Sequence, residues 1–287
     1  MVKRAATWAG LLLAAVLSIY MFWGESAAGK VGENIPEPES GSSIWLNSRL
    51  YQIRARALFD RGLSRLGEPA ARDADFLRAY DSFRRSLSLN PFSAVTHFDF
   101  GQALQYFNVL DFEVPERYFD EYRKAADLSG ADTAVYLEVG KVLLSRWSGL
   151  NSDERLFTER ILRLLLSFGG PDQARRGETL LNLWEVNVND TQVLQKILPE
   201  NAAVLRQAAE FLGGKGIFLK TRFDFLARAE ALDLESAEES LQAGLSERNA
   251  RRPAEALRLF RDAAKLINGI RFYRNLTPTK DTLTPED

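Results

Sequence analysis

The sequence predicts an all-α protein, a stack of helical hairpins preceded by a single N-terminal transmembrane helix. Two observations carry this. From Ile44 to Arg274 apolar residues recur at helical spacing almost without a break, and no stretch alternates apolar and polar between turn residues as a half-buried strand would. Ahead of that region, twenty consecutive residues carry no charge. The composition agrees: of 287 residues, 46% are hydrophobic and 26% charged, which is globular.

The uncharged run is Ala5–Gly24, AATWAGLLLAAVLSIYMFWG. At about 1.5 Å per residue it reaches roughly 30 Å, the hydrocarbon thickness of a bilayer. Trp8 lies near one end, Tyr20 and Trp23 near the other, where amphipathic rings favour the interface. Lys3 and Arg4 precede the run and Glu25 follows it. The positive-inside bias therefore leaves the N-terminus in the cytoplasm and the body outside it. Residues 1–24 read as an uncleaved anchor. A cleaved signal peptide, cut after Ser26-Ala27-Ala28, is the rival reading. Residues 25–43, rich in Gly, Pro, Ser and Glu, read as a flexible linker. Residues 275–287 (NLTPTKDTLTPED) read as a disordered tail. The helical body is 44–274.

Within the body each helix has local signals. Arg49–Leu66 places Leu50, Ile53, Ala57, Leu58 and Leu66 on one stripe. Asp75–Leu89 aligns Phe76, Leu77, Tyr80, Phe83 and Leu87 and stops at Asn90-Pro91. Pro115 suits a helix first turn. Asp153 and Asp190 suit N-caps. Gly169-Gly170-Pro171 and Gly213-Gly214-Lys215-Gly216 read as breaks between helices. Eleven or twelve helices result, with Gln173–Pro199 helical but without an assignable phase.

A period runs through these pairs. In Ala237–Asn268, Ala243-Gly244 sit midway along a first helix, followed by Ala256, Phe260 and Ala263 on a second. Small residues let two helices approach closely, and an aromatic fills the groove beside them. About one period earlier Ala208-Ala209 and Phe225 repeat the theme, with Thr221 and Arg228 in place of the alanines. Ala79, Phe83 and Pro91 fit a second helix, with Glu68–Asp75 lengthening the turn before it. Phe100-Gly101-Leu104 with Tyr118, Tyr122 and Ala125 fit a further pair, and Val139-Gly140-Leu143 opens another. This pattern resembles the tetratricopeptide (TPR) repeat, a 34-residue helix–turn–helix, over roughly Asp60–Asn268. The resemblance implies a TPR-like α-solenoid whose inner, concave face is lined by first-helix residues and clasps a partner. The matching positions are Phe98, Asp99, Gln102, Gln105 and Tyr106, then Leu137, Glu138, Lys141 and Ser145, then Leu241, Gln242, Leu245, Arg248 and Asn249. They lack the Lys/Asn/Arg set with which some members clamp a C-terminal carboxylate.

Candidate chemistry is sparse. Cysteine is absent, so thiol nucleophiles and Cys-based metal sites are excluded. The single histidine, His97, falls where such a repeat packs its helices, so it reads as structural. Asp111 and Glu113, two residues apart, could be half of a carboxylate acid/base pair but read as solvated loop acids. Gly213–Gly216 lacks the full phosphate-loop pattern and any preceding strand. A net charge of −2 and the absence of aromatic interleaving in the basic pairs argue against nucleic acid.

The expectation is a non-enzymatic scaffold without cofactor or metal. Its partners are envelope or membrane proteins, and it is held single-pass in the inner membrane with a periplasmic body. A composition rich in Ala, Leu and Arg and free of Cys points to a bacterial envelope. The alternative is a structural subunit packed through its transmembrane helix, where Gly10, Ala14 and Ser18 form a small-residue face. A carboxylate-dependent hydrolase is a third reading.

Overall fold

The computed structural model describes residues 47–130 and 133–276, with side chains as far as Ile270. Eleven α-helices and one 3₁₀ turn, and no strand, occur among the described residues. The chain is all-α. It divides into two compact units, one ending at Val139 and the other beginning at Gly140.

The first unit opens with α1 (Ser48–Ser64), capped by Asn47, whose side chain accepts from the Arg49 and Leu50 amides. Its partner α2 is Pro69–Leu89, six residues longer at the start than the periodicity indicated. Glu68–Asp75 is therefore not an extended turn. Pro69 takes the first helical position, where its missing N–H costs nothing. Asp75 lies inside the helix and accepts from Arg61 (2.6 and 2.9 Å) and Arg65 (3.0 Å). The Arg61 hydrogen bond, opposed by desolvation, holds the Asp75 carboxyl below its ordinary value. This fastens the α1–α2 hairpin at its open turn.

Next come α3 (Ala94–Val109), capped by Ser93, and α4 (Tyr118–Ser129). The α4 helix begins three residues after Pro115, which stays in the preceding loop. α3 packs along α4 and also touches both α1 and α2. The core between α1, α2 and α3 is aromatic: Phe59, Phe76, Tyr80, Phe83, Phe100 and Phe107, with Ala55, Ala79 and Ala103 as spacers. Ring centroids lie 4.9 Å apart for Phe76–Phe107 and 5.4 Å for Phe83–Phe100. Two glycines allow the close approach. A Cβ at Gly62 would stand 2.5 Å from the Phe76 ring, and one at Gly101 would stand 2.9 Å from Tyr122.

Helix α5 (Thr133–Ser145) carries the boundary between the units. After a 3₁₀ turn at Trp147–Gly149, the second unit continues with α6 (Ser152–Ser167). Its N-cap is Asn151 with Glu154 in a reciprocal capping box, and Asp153 falls in the first turn instead of at the cap. The unphased stretch resolves into α7 (Gln173–Asn187) and the short α8 (Thr191–Ile197), the latter capped by Asp190 as expected. α6 packs on both of these, and α7 packs on α9 (Ala202–Lys215). Trp184, Leu162, Leu165, Leu194, Leu205 and Leu212 are fully buried in this layer. Gly213 and Gly214 belong to the last turn of α9, and the break falls at Gly216, which caps it in the left-handed region (φ 67).

The next helix, α10 (Leu219–Asn249), runs 31 residues without interruption, and α11 (Pro253–Leu276) returns along it. The repeat pattern implied two hairpins in succession here. Both exist, but they share α10. Its first half buries Phe225, Ala229 and Asp233, with Asp233 bonded to Arg206 of α9. Its second half buries Ala237 and Gly244 against Ala256 and Ala263 of α11. A Cβ at Gly244 would lie 2.6 Å from the Phe260 ring, so the small-residue crossing read from the sequence is present.

Candidate partner-binding face

Helix α3 presents three sides to its neighbours and one to solvent. Phe100, Leu104 and Phe107 face the aromatic core. His97, Phe98, Gly101 and Gln105 face α4. Phe98 is buried, with its ring 5.8 Å from that of Tyr122, whose hydroxyl donates to Gln105 Oε1 (2.9 Å). Asp99 and Tyr106 turn toward α1. Gln52 Nε2 donates to Asp99 Oδ2 (2.8 Å), Arg56 Nη1 donates to Asp99 Oδ1 (2.9 Å), and the Tyr106 ring meets Phe59 edge-on at 5.6 Å. Burial raises the Asp99 carboxyl above its ordinary value, against the lowering effects of Gln52 and Arg56.

What remains is a stripe at seven-residue spacing, Val95, Gln102 and Val109, with Tyr106 between the last two. Val95, Tyr106 and Val109 are 46%, 46% and 57% exposed, and Gln102 is half-buried. The stripe is bordered on the α1 side by the polar cluster of Gln52, Arg56 and Asp99. Of the five α3 positions named from the sequence, Gln102 and Tyr106 belong to this surface. Phe98 is held in the α3–α4 contact, and Asp99 is engaged with α1. Val95, Val109, Gln52 and Arg56 were missed. The two valines were legible seven residues on either side of Gln102. The α1 pair was not, because only the tertiary contact brings α1 beside α3.

His97 sits between helices as expected, 6% exposed. Its Nε2 donates to the Pro91 carbonyl (2.9 Å), which can only accept, and its Nδ1 is hydrogen-bonded to Glu121 Oε2 at 2.5 Å. Lys124 donates to the other Glu121 oxygen (2.7 Å). Burial pushes the Glu121 carboxyl up, but its bonds to His97 and Lys124 outweigh that and hold it below its ordinary value. Both ring nitrogens of His97 are thus occupied by structural partners. On the other side of the core, Tyr80 donates to Glu116 (2.6 Å), and burial with that bond pushes the phenol up to about 12.

The other named positions lie elsewhere. Leu137, Glu138 and Lys141 are half-buried on α5, either side of the unit boundary, with Ser145 exposed at its end. Leu241, Gln242, Leu245, Arg248 and Asn249 are all exposed on the second half of α10. Asp111 and Glu113 are exposed in the α3–α4 loop, where Asp111 takes a positive φ of 55°. Among the described residues no group of three or more His, Asp or Glu side chains is gathered for a metal ion. No described helix is long and apolar enough to cross a membrane. The predicted anchor 1–24, with Gly10, Ala14 and Ser18, and the predicted linker 25–43 lie outside the described residues. Of the predicted tail 275–287, residues 275 and 276 belong to the end of α11, and the rest lies outside the described residues.

No family model matches the chain, and no curated protein matches it.

Proposed function

We propose that this chain is a membrane-tethered, TPR-like α-solenoid that binds partner proteins and performs no catalysis of its own. The observation that carries the reading is the α3 stripe. Two valines, a tyrosine and a glutamine stay open to solvent on a helix whose other three sides are closed by packing. They lie beside an exposed Arg56 guanidinium. Such a surface offers apolar contact with a few fixed polar groups at one border, the composition of a peptide-binding face.

The helix pairing supports the solenoid reading. α1 packs with α2 and α3 with α4, while α3 also touches both helices of the preceding pair, as successive repeats do. The uncharged segment Ala5–Gly24, by its length and flanking charges, supports the tether. Confinement at a bilayer raises the effective concentration of partners in the same membrane, so modest intrinsic affinity suffices. The partners this fits are other envelope or membrane proteins, and the place is the inner membrane with the helical body in the periplasm.

The test is site-specific photocrosslinking in native membranes. A photoreactive residue at Gln102 should give a discrete adduct, whereas one at Leu77, exposed on α2, should not. The pair Tyr106→Ala and Val109→Lys, introduced beside the photoreactive residue at position 102, should weaken that adduct at least tenfold. Equal adducts from both positions, or an adduct indifferent to the pair, would discard the face.

A further inference from the structure

The C-terminal hairpin leaves a row of apolar side chains exposed. Leu234, Leu241 and Leu245 of α10 fall at i, i+7 and i+11, the spacing of a coiled-coil seam. They are 47%, 38% and 36% exposed. On α11 the residues that meet α10 are Ala256, Phe260 and Ala263. Leu257 and Ala264 lie one step around the helix from these, both exposed, with Leu257 at 49%. In an antiparallel pair of right-handed helices that step brings them to the same side as the α10 leucines. One face of the hairpin is therefore an apolar band contributed by both helices.

The charges beside the band differ between the two helices. From Asp224 to Glu247, α10 carries seven acids and one base, while α11 from Pro253 to Lys265 carries three bases and two acids, with Arg248 at the end of α10 and Arg251 and Arg252 in the turn between them. Glu235 and Glu238 are exposed on the outer edge of α10 beside the leucines, and Arg261 and Lys265 are exposed on α11. Counting along both helices from the Gly244–Phe260 crossing, Glu238 stands within about one residue of the level of Lys265.

We infer that this face is a self-association site and that its occupant is the same face of a second copy of the chain, related by a two-fold axis parallel to the helices. That axis sets each α10 opposite the partner's α11. The leucine bands then cover one another, and the acidic edge of each copy meets the basic edge of the other. The alternative two-fold, perpendicular to the helices, would set α10 on α10 and acid on acid, which is repulsive. The symmetry makes the contact isologous and closed, so it yields a dimer and not a filament.

The experiment is sedimentation of the full-length chain in detergent micelles, alone and in mixtures. The wild type should sediment as a dimer. Glu235→Lys with Glu238→Lys makes both edges basic, and Arg261→Glu with Lys265→Glu makes both acidic. Each double variant should be monomeric by itself, and the two mixed one to one should recover the dimer. Leu241→Ser with Leu245→Ser should dissociate the wild type at unchanged charge. All six changes are at exposed positions, and circular dichroism of each variant checks that it is folded. A wild type that is monomeric at 100 µM overturns the inference, as does a dimer indifferent to the leucine pair. Charge variants that fail to recover on mixing overturn the parallel two-fold.

Discussion

The α1–α3 layer and the α10–α11 hairpin both bring two helices together over a glycine and a phenylalanine, yet they end in different states. At Gly62 the opposing ring, Phe76, is fully buried, because α3 closes over it with Phe107. At Gly244 the opposing ring, Phe260, is only half-buried, and leucines on the same hairpin stay open. The local sequence device is the same, and the difference is the third helix. A helical pair can be specified by spacing within some thirty residues, but its interior is sealed only by an element from outside the pair. Local stability should therefore fall from the aromatic layer to the hairpin.

That contrast can be broken by substitution. Phe76→Ala empties the centre of the aromatic layer and should cost about 3–5 kcal/mol, measured by urea unfolding. A cost below about 2 kcal/mol would mean the layer collapses around the gap and is not the rigid partner in the comparison. His97→Ala comes next. It leaves Glu121 buried with Lys124 alone and should cost on the order of 3 kcal/mol.

The same pair governs acid stability. Glu121 and Asp75 titrate lower folded than unfolded, so their contribution is present above the ordinary carboxylate value and is lost as pH falls toward the folded values. Asp99, raised on folding, works the other way: it favours the folded state on the acid side and loses that contribution as pH rises through its folded value. Glu121→Gln should flatten the acid limb of a Tm-versus-pH curve in proportion to its share. An unchanged limb would assign acid unfolding to Asp75.

The smallest effects are the sharpest test of the contrast. Gly62→Ala drives a methyl into a ring that cannot move. Overpacking of about 1–3 kcal/mol should exceed the gain of about 1 kcal/mol from alanine's helix preference. Gly244→Ala meets a ring with solvent on one side, which can swing away, so it should stay within about 0.5 kcal/mol of wild type, strain and helix preference nearly cancelling. Equal costs at the two glycines would show that the hairpin is as tightly closed as the aromatic layer.

What could be read from the sequence divides along the same line. Helical class, most boundaries and the Gly244–Phe260 crossing follow from periodicity and short-range spacing, and all are seen. The start of α2 was missed because Pro69-Ala-Ala-Arg has no apolar period; the helix there is fixed by Asp75 bonding back to Arg61 and Arg65. The cap of α6 was misplaced by two residues, since Asn151 and Asp153 are equally good caps and only the Glu154 reciprocal bond selects Asn151. On the candidate face, the α3 residues were accessible at seven-residue spacing. The turning of Phe98 and Asp99 into contacts with α4 and α1 was not, because it depends on which helices flank α3.

The uninterrupted α10 has one more consequence, for what this protein can tolerate as it changes. Where a loop joins two hairpins, a residue gained or lost is absorbed in the loop. Here the junction near Leu234–Ala237 is itself helical, so deleting a single residue would rotate everything beyond it by about 100° and draw it back by about 1.5 Å. The leucine band would swing to another side of the molecule while every hairpin contact beyond it survived. Length variation at that junction is thus a change of phase, and drift in this region should proceed by substitution, with insertions confined to the turn at Ala250–Arg252.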